Sequence, residues 1–173
     1  MTNYIEFRDR SFPKAYFISF RGYGTWLHGD RRLSMDRNNF NRFGQGKIPA
    51  NADLEQKELS NLKNMPIAFN REMREVIQQA LYEVCNFRKY HLVAVNVRTN
   101  HVHAVVNANE KPELIMNSFK SYATRRLREL KCVSPATKIW SRHGSTRYLW
   151  TELQVSAAVD YVINGQGDDL PGF

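Results

Sequence analysis

The chain of 173 residues is 42% hydrophobic and 24% charged. That is one ordinary domain's worth of material with a buried core, which excludes disordered, collagen-like and small disulfide-stapled classes. Lys and Arg number 25 against 17 Asp and Glu, a net charge of +8 with 12% aromatic residues, a balance that points to a polyanionic partner.

No run approaches the roughly 18 apolar residues of a membrane span, and the first fourteen residues carry charge where a signal peptide needs an apolar core. Cys85 and Cys132 form no C-x-x-C pair, so neither a zinc cluster nor a stapled secreted fold is indicated. The expectation is a cytoplasmic protein with reduced cysteines and no membrane partner. Residues 1–173 read as a single domain, since no repeat, linker or low-complexity tract divides them.

In chain order, AYFISFRGYGTW at 15–26 begins as a strand, rich in β-formers, that Gly22 and Gly24 end or bend. Residues 28–66 are loop-like, with a short polar helix possible at 53–63, and an excursion of this length is usually functional or mobile. Ile67, Met73, Ile77, Leu81, Val84 and Cys85 then recur at helical spacing up to about Tyr90. HLVAVNVRTNHVHAVVNA reads as an antiparallel hairpin over 91–98 and 101–107. Lys111 to Leu130 returns to helix, with Pro112 suited to a first turn. TKIWSRHGSTRYLW at 137–150 reads as a strand, a glycine turn and a second strand or extended segment. ELQVSAAVDYVIN makes a last helix that Gly165 and Gly167 stop. The order strand, helix, strand, strand, helix, strand predicts an α+β fold, a ferredoxin-like antiparallel sheet with helices on one face and an added C-terminal helix.

His101 and His103 flank Val102 within a predicted strand, so both imidazoles leave one face, about 6–7 Å apart along the strand, while Val102 enters the core. An isolated pair of this kind is more often two ordinary hydrogen-bonded histidines than a metal site. Here Ala104, Val105 and Val106 follow, and the head of a buried strand is a costly place for two polar rings without a partner. Two imidazoles leave a divalent cation with open positions, which suits polarisation of a phosphoryl oxygen.

No nucleophile elbow, P-loop, zincin motif or carboxylate pair accompanies the histidines. A tyrosine remains, since it can attack a phosphodiester and hold it as an ester. Tyr122 lies at the edge of the stripe formed by Ile115, Phe119, Ala123 and Leu130 and is read as a packing residue. Tyr161 lies roughly 130° from the centre of the stripe of its own helix, on the polar side. Lys120, Arg125, Arg126 and Arg128, with Arg142 and Arg147, are candidates for a phosphate-binding groove, although any one of them is as readily part of a solvated face. Trp140, Tyr148 and Trp150 are candidate stacking residues, with core packing the commoner fate of each tryptophan. Arg31, Arg32, Arg37 and Arg42 mark the long loop as a second basic surface.

TNHVHAVVNA at 99–108, SFKSYATRRLREL at 118–130, KIWSRHGSTRYLW, DYVINGQG at 160–167 and YGTWLHGD at 23–30 together resemble the single-tyrosine HUH-endonuclease transposases, which carry an IS200-like domain. The likeness is strongest to their REP-associated tyrosine transposase branch. The resemblance implies a metal-dependent endonuclease and strand transferase acting on single-stranded DNA at hairpin-associated sites. His101 and His103 would hold Mg²⁺ or Mn²⁺, and Tyr161 would form a 5′-phosphotyrosine and release a 3′-OH, with no nucleotide cofactor. The partner would be single-stranded DNA with a hairpin, bound by a monomer or homodimer. In the family a polar residue four after the tyrosine completes the metal site, whereas Gly165 stands there in this chain, flanked by Asn164 and Gln166. Gln166 is the favoured third ligand, because glycines on either side let the helix end reach. The alternative is a catalytically silent nucleic-acid-binding protein derived from such a transposase.

Overall fold

Alternating burial builds the first strand. In the computed structural model, which describes residues 12–31 and 48–165, β1 (Ala15–Gly22) sends Tyr16, Ile18 and Phe20 into one face of the sheet and Phe17, Ser19 and Arg21 to the other. A short helix, α1 (Ala52–Ser60), lies within the excursion that follows and is capped by the Asn51 side chain.

The next helix begins later than its apolar spacing predicts. Ile67 and Phe69 are buried but extended, Ile67 N–H donating to the Tyr23 carbonyl and Phe69 N–H to the Thr99 carbonyl. Asn70 then caps α2 (Arg71–Arg88) by accepting from Met73 N–H, because an Asn side chain satisfies one of the orphan donors of a first turn. Lys89 closes α2 in the left-handed conformation at φ 60°.

The hairpin of β2 (His91–Val97) and β3 (His101–Asn107) forms where the two β-rich runs predict it. Pro112 starts α3 (Pro112–Glu129), a position that needs no backbone N–H. Residues 140–149 depart from expectation. They form one continuous strand, β4 (Trp140–Leu149), and Gly144 lies within it rather than at a turn. The cause is packing, since a Cβ at Gly144 would lie 2.3 Å from Met116 Sδ and 2.5 Å from the Ser19 carbonyl oxygen. Gly144 is there to let α3 close on the sheet. Last comes α4 (Glu152–Asn164), begun by a capping box between Thr151 and Gln154.

The strands run in the order β2-β3-β1-β4 with every neighbouring pair antiparallel. That order is the ferredoxin-like arrangement of an α+β fold. Helices α2 and α3 cover the face that carries Ile18, Phe20, Val102 and Ala104, and with Ile77, Leu81, Ile115, Phe119 and Leu127 they form the main core. Helix α4 lies on the opposite face, over a smaller cluster of Ala15, Ala94, Val105, Leu149, Ala158 and Val162. Among the described residues no helix is long and apolar enough to cross a membrane.

Candidate active site

The face under α4 is divided. Its apolar part is the small cluster beneath Ala158 and Val162. Beside it runs a polar row, since strand register places Asn96 opposite His103, His103 opposite Ser19, and Ser19 opposite Ser145. Val102 is fully buried on the other side, so the alternation expected of His101-Val102-His103 is what the strand adopts.

Both imidazoles are held at Nδ1. Ser19 Oγ and His103 Nδ1 share a hydrogen bond of 2.5 Å, and His101 Nδ1 lies 2.6 Å from Asn100 Oδ1. Asn100 is itself fixed, because its carbonyl accepts from Gly22 N–H and Thr25 Oγ1, and its hairpin neighbour Thr99 accepts from Phe69 N–H. With Nδ1 engaged, Nε2 is the atom through which each ring can bind a cation. The ring centroids are 4.6 Å apart, closer than the strand rise alone would set them.

Burial pushes His103 down to about 3, helped by the charges of His101, Arg21 and Arg98. His103 is therefore a neutral imidazole at physiological pH, the form a metal needs. Arg21 lies 3.3 Å over the Trp26 ring, so the YGTWLHGD segment contributes a wall of the same electropositive corner. No group of three or more His, Cys, Asp or Glu able to hold a metal occurs among the described residues. The donor set is two imidazole nitrogens in a positive field, which fits a divalent cation only as an open site whose remaining ligands include anionic oxygens.

Tyr161 reaches this corner from α4. Its ring meets His103 edge-on at 5.6 Å and Phe17 edge-on at 5.9 Å, while Phe17 stacks on His103 at 5.3 Å. Tyr161 is 46% exposed, as its polar-side helical position predicts. Tyr122 lies on the far side of the sheet, packed against the main core with its ring beside Phe87 and under Arg125. The structure thus brings His101, His103 and Tyr161 together and leaves Tyr122 out. Gln166 lies outside the described residues, as do Arg32, Arg37 and Arg42.

Residues 62–160 match the family model described as "Transposase IS200 like". The chain belongs to the IS200-like transposase family. The matched segment contains both histidines and ends one residue before Tyr161. No curated protein matches the sequence. A structure of a REP-associated tyrosine transposase bound to a REP hairpin is similar over 94% of this chain and 70% of that one, at 13% identity and a TM-score of 0.49. A crystal structure of a candidate transposase from Deinococcus radiodurans R1 is similar over 93% and 97%, at 12% identity and a TM-score of 0.48.

The candidate basic residues of this IS200-like transposase fall into two groups: Lys120, Arg125 and Arg128 line one cavity with Thr124 and Trp140, while Arg142 and Arg147 lie on β4. Arg147 lies across from Phe17 on the site face, and Arg142 is exposed on β4, close to where the β1–β4 register shifts. Lys120, Arg125, Arg126 and Arg128 belong to α3, on the opposite side of the sheet. Lys120 is buried, donates to the carbonyls of Ser141 and His143, and has its ammonium pKa lowered by that burial. Arg126 is paired with Glu83 and Glu129. Trp140 packs inside, donating to the Lys120 carbonyl and Thr124, whereas Tyr148 and Trp150 stack on each other at 5.9 Å and remain exposed.

Sequence reasoning missed Ser19, Asn96, Arg21, Arg98 and Phe17. A signal existed for two of them: Ser19 and Arg21 are the polar positions of an otherwise apolar alternation, which marks a second face with work of its own. The partnership of Ser19 with His103 spans 84 residues and depends on register alone.

Proposed function

We propose that this transposase nicks single-stranded DNA at hairpin-associated sites and transfers the strand through a covalent Tyr161 intermediate. The observation that carries the proposal is the Tyr161 ring set edge-on against His103, itself 4.6 Å from His101. A nucleophile and a pair of imidazole donors on one sheet face are the parts that phosphoryl transfer requires.

His101 and His103 would hold Mg²⁺ or Mn²⁺, which supplies Lewis-acid polarisation of the phosphoryl oxygens. Gln166 remains the proposed further ligand. Arg21 and Arg98, whose charges are felt at His103, attract the phosphate into the corner. Phe17 walls the site and keeps the Tyr161 ring upright. Tyr161 Oη attacks phosphorus and gives its proton to solvent, the bond from phosphorus to O3′ breaks, O3′ takes a proton from solvent to leave as a 3′-OH, and the 5′-phosphate stays esterified to the tyrosine. Attack by a 3′-OH reverses the step, so religation or strand transfer needs no nucleotide. Arg142 and Arg147 would contact the backbone beside the site, and the exposed Arg125 and Arg128 would contact it from the other face.

Gly165, where the resemblance leads one to expect a polar ligand, favours a second reading as a binding protein that recognises a structured single strand without cutting it. The two separate on incubation with a pool of single-stranded hairpin DNAs and Mn²⁺, with and without chelator, followed by a denaturing gel. The nicking account expects a metal-dependent protein–DNA adduct that His103→Ala abolishes. Hairpin binding without an adduct under any metal condition would favour the second reading.

A further inference from the structure

We propose that Asn96 is a positioning residue that latches the last turn of α4 to the sheet and thereby sets Tyr161 over His103. The inference rests on the reading of Tyr161 as the nucleophile. Asn96 stands on β2 directly across from His103, on the face that α4 covers. It is half-buried, and its side-chain Nδ2 donates to the Val162 carbonyl at 2.8 Å. That carbonyl belongs to the final helical turn, where backbone acceptors depend on donors from outside the helix.

The latch matters because α4 is thinly anchored. Of its residues Ala158 and Val162 are buried, one turn apart, with Val155 and Val159 partly buried beside them, while Leu153 and Ile163 face outwards at 81% and 61% exposure. Tyr161 is the residue immediately before Val162, whose carbonyl is latched. Displacement of the Val162 carbonyl from Asn96 carries the tyrosine with it, away from the histidine that is the cross-strand partner of Asn96.

The pose is defined from the helix end as well. A Cβ at Gly165 would come 2.7 Å from Tyr161 Cδ2 and 2.9 Å from the Tyr161 carbonyl oxygen, so the glycine leaves room for the ring where it now lies. One amide and one missing side chain together fix the direction of the tyrosine.

Asn96→Leu keeps the approximate size of the side chain and removes the donor without setting a charge across from His103, and Asn96→Ala removes the side chain altogether. The full chain is assayed for single-turnover adduct formation at saturating hairpin DNA and Mn²⁺, with DNA and Mn²⁺ affinities titrated separately. Amide hydrogen exchange across α4 is measured without DNA. The latch predicts a loss of rate on the order of 10- to 100-fold, the scale on which small misplacements of a reacting group act. It also predicts unchanged affinities and faster exchange in the last turn of α4, with α2 unaffected. Both variants reacting at the wild-type rate, or exchange in α4 unchanged, would overturn it. If wild type itself forms no adduct while exchange responds to the substitution, the nucleophile reading fails and the latch stands as a purely structural contact.

Discussion

At the scale of single residues, His103 decides the pH behaviour of the site. In the unfolded chain it titrates near the ordinary histidine value of 6.5, and burial lowers it to about 3 in the fold. Between those values the unfolded state binds the extra proton, so its contribution to stability is full above 6.5 and is lost as pH falls towards 3. Urea midpoints at pH 7.5 and pH 5 should therefore fall further for wild type than for His103→Gln; parallel shifts would contradict the neutral, buried imidazole. Ser19 supports the same ring. Ser19→Ala removes the partner of Nδ1 and should weaken Mn²⁺ binding in the presence of DNA by about 10-fold, as loss of partners behind metal-binding histidines does, measured by titration calorimetry. The histidines and Tyr161 were readable because strand alternation and helical phase are local. Ser19 and Asn96 were not, because each acquires its role only from the strand it lands beside.

At the scale of elements, the helices and the hairpin follow from periodicity and caps, and the two departures have one origin in tertiary packing. Ile67 stands six residues before Met73, about 120° off the helical stripe, and lies before the Asn70 cap, held in extended form by the Tyr23 carbonyl. Gly144 carries the signature of a turn, but its missing side chain serves the approach of Met116 on α3. Gly144→Ala should cost about 1–3 kcal/mol, the usual range for overpacking, read from urea unfolding. It should also disturb Ser19, whose backbone the new methyl would strike. Thr151→Ala breaks the capping box of α4 and should cost about 1 kcal/mol, while adduct formation falls more than the change in stability accounts for, because α4 carries the proposed nucleophile.

At the scale of the whole molecule, a net charge of +8 reads as an electrostatic footprint for nucleic acid, but the fold divides it between two faces. Charge could be counted along the chain; the side of the sheet to which α3 would carry it could not. Arg147, on the site face, should contribute to the salt dependence of DNA binding, so that Arg147→Gln lowers the slope of log K against log salt by about 0.7. Arg126→Gln should leave that slope nearly unchanged, since its guanidinium is already paired with Glu83 and Glu129. The most direct test of the central claim is to digest the protein–DNA adduct formed with Mn²⁺ and locate the nucleotide by mass spectrometry. The account predicts a phosphodiester-derived mass on the peptide containing Tyr161, absent from Tyr161→Phe and retained in Tyr122→Phe. A nucleotide on the Tyr122 peptide, or an adduct that survives Tyr161→Phe, would contradict it.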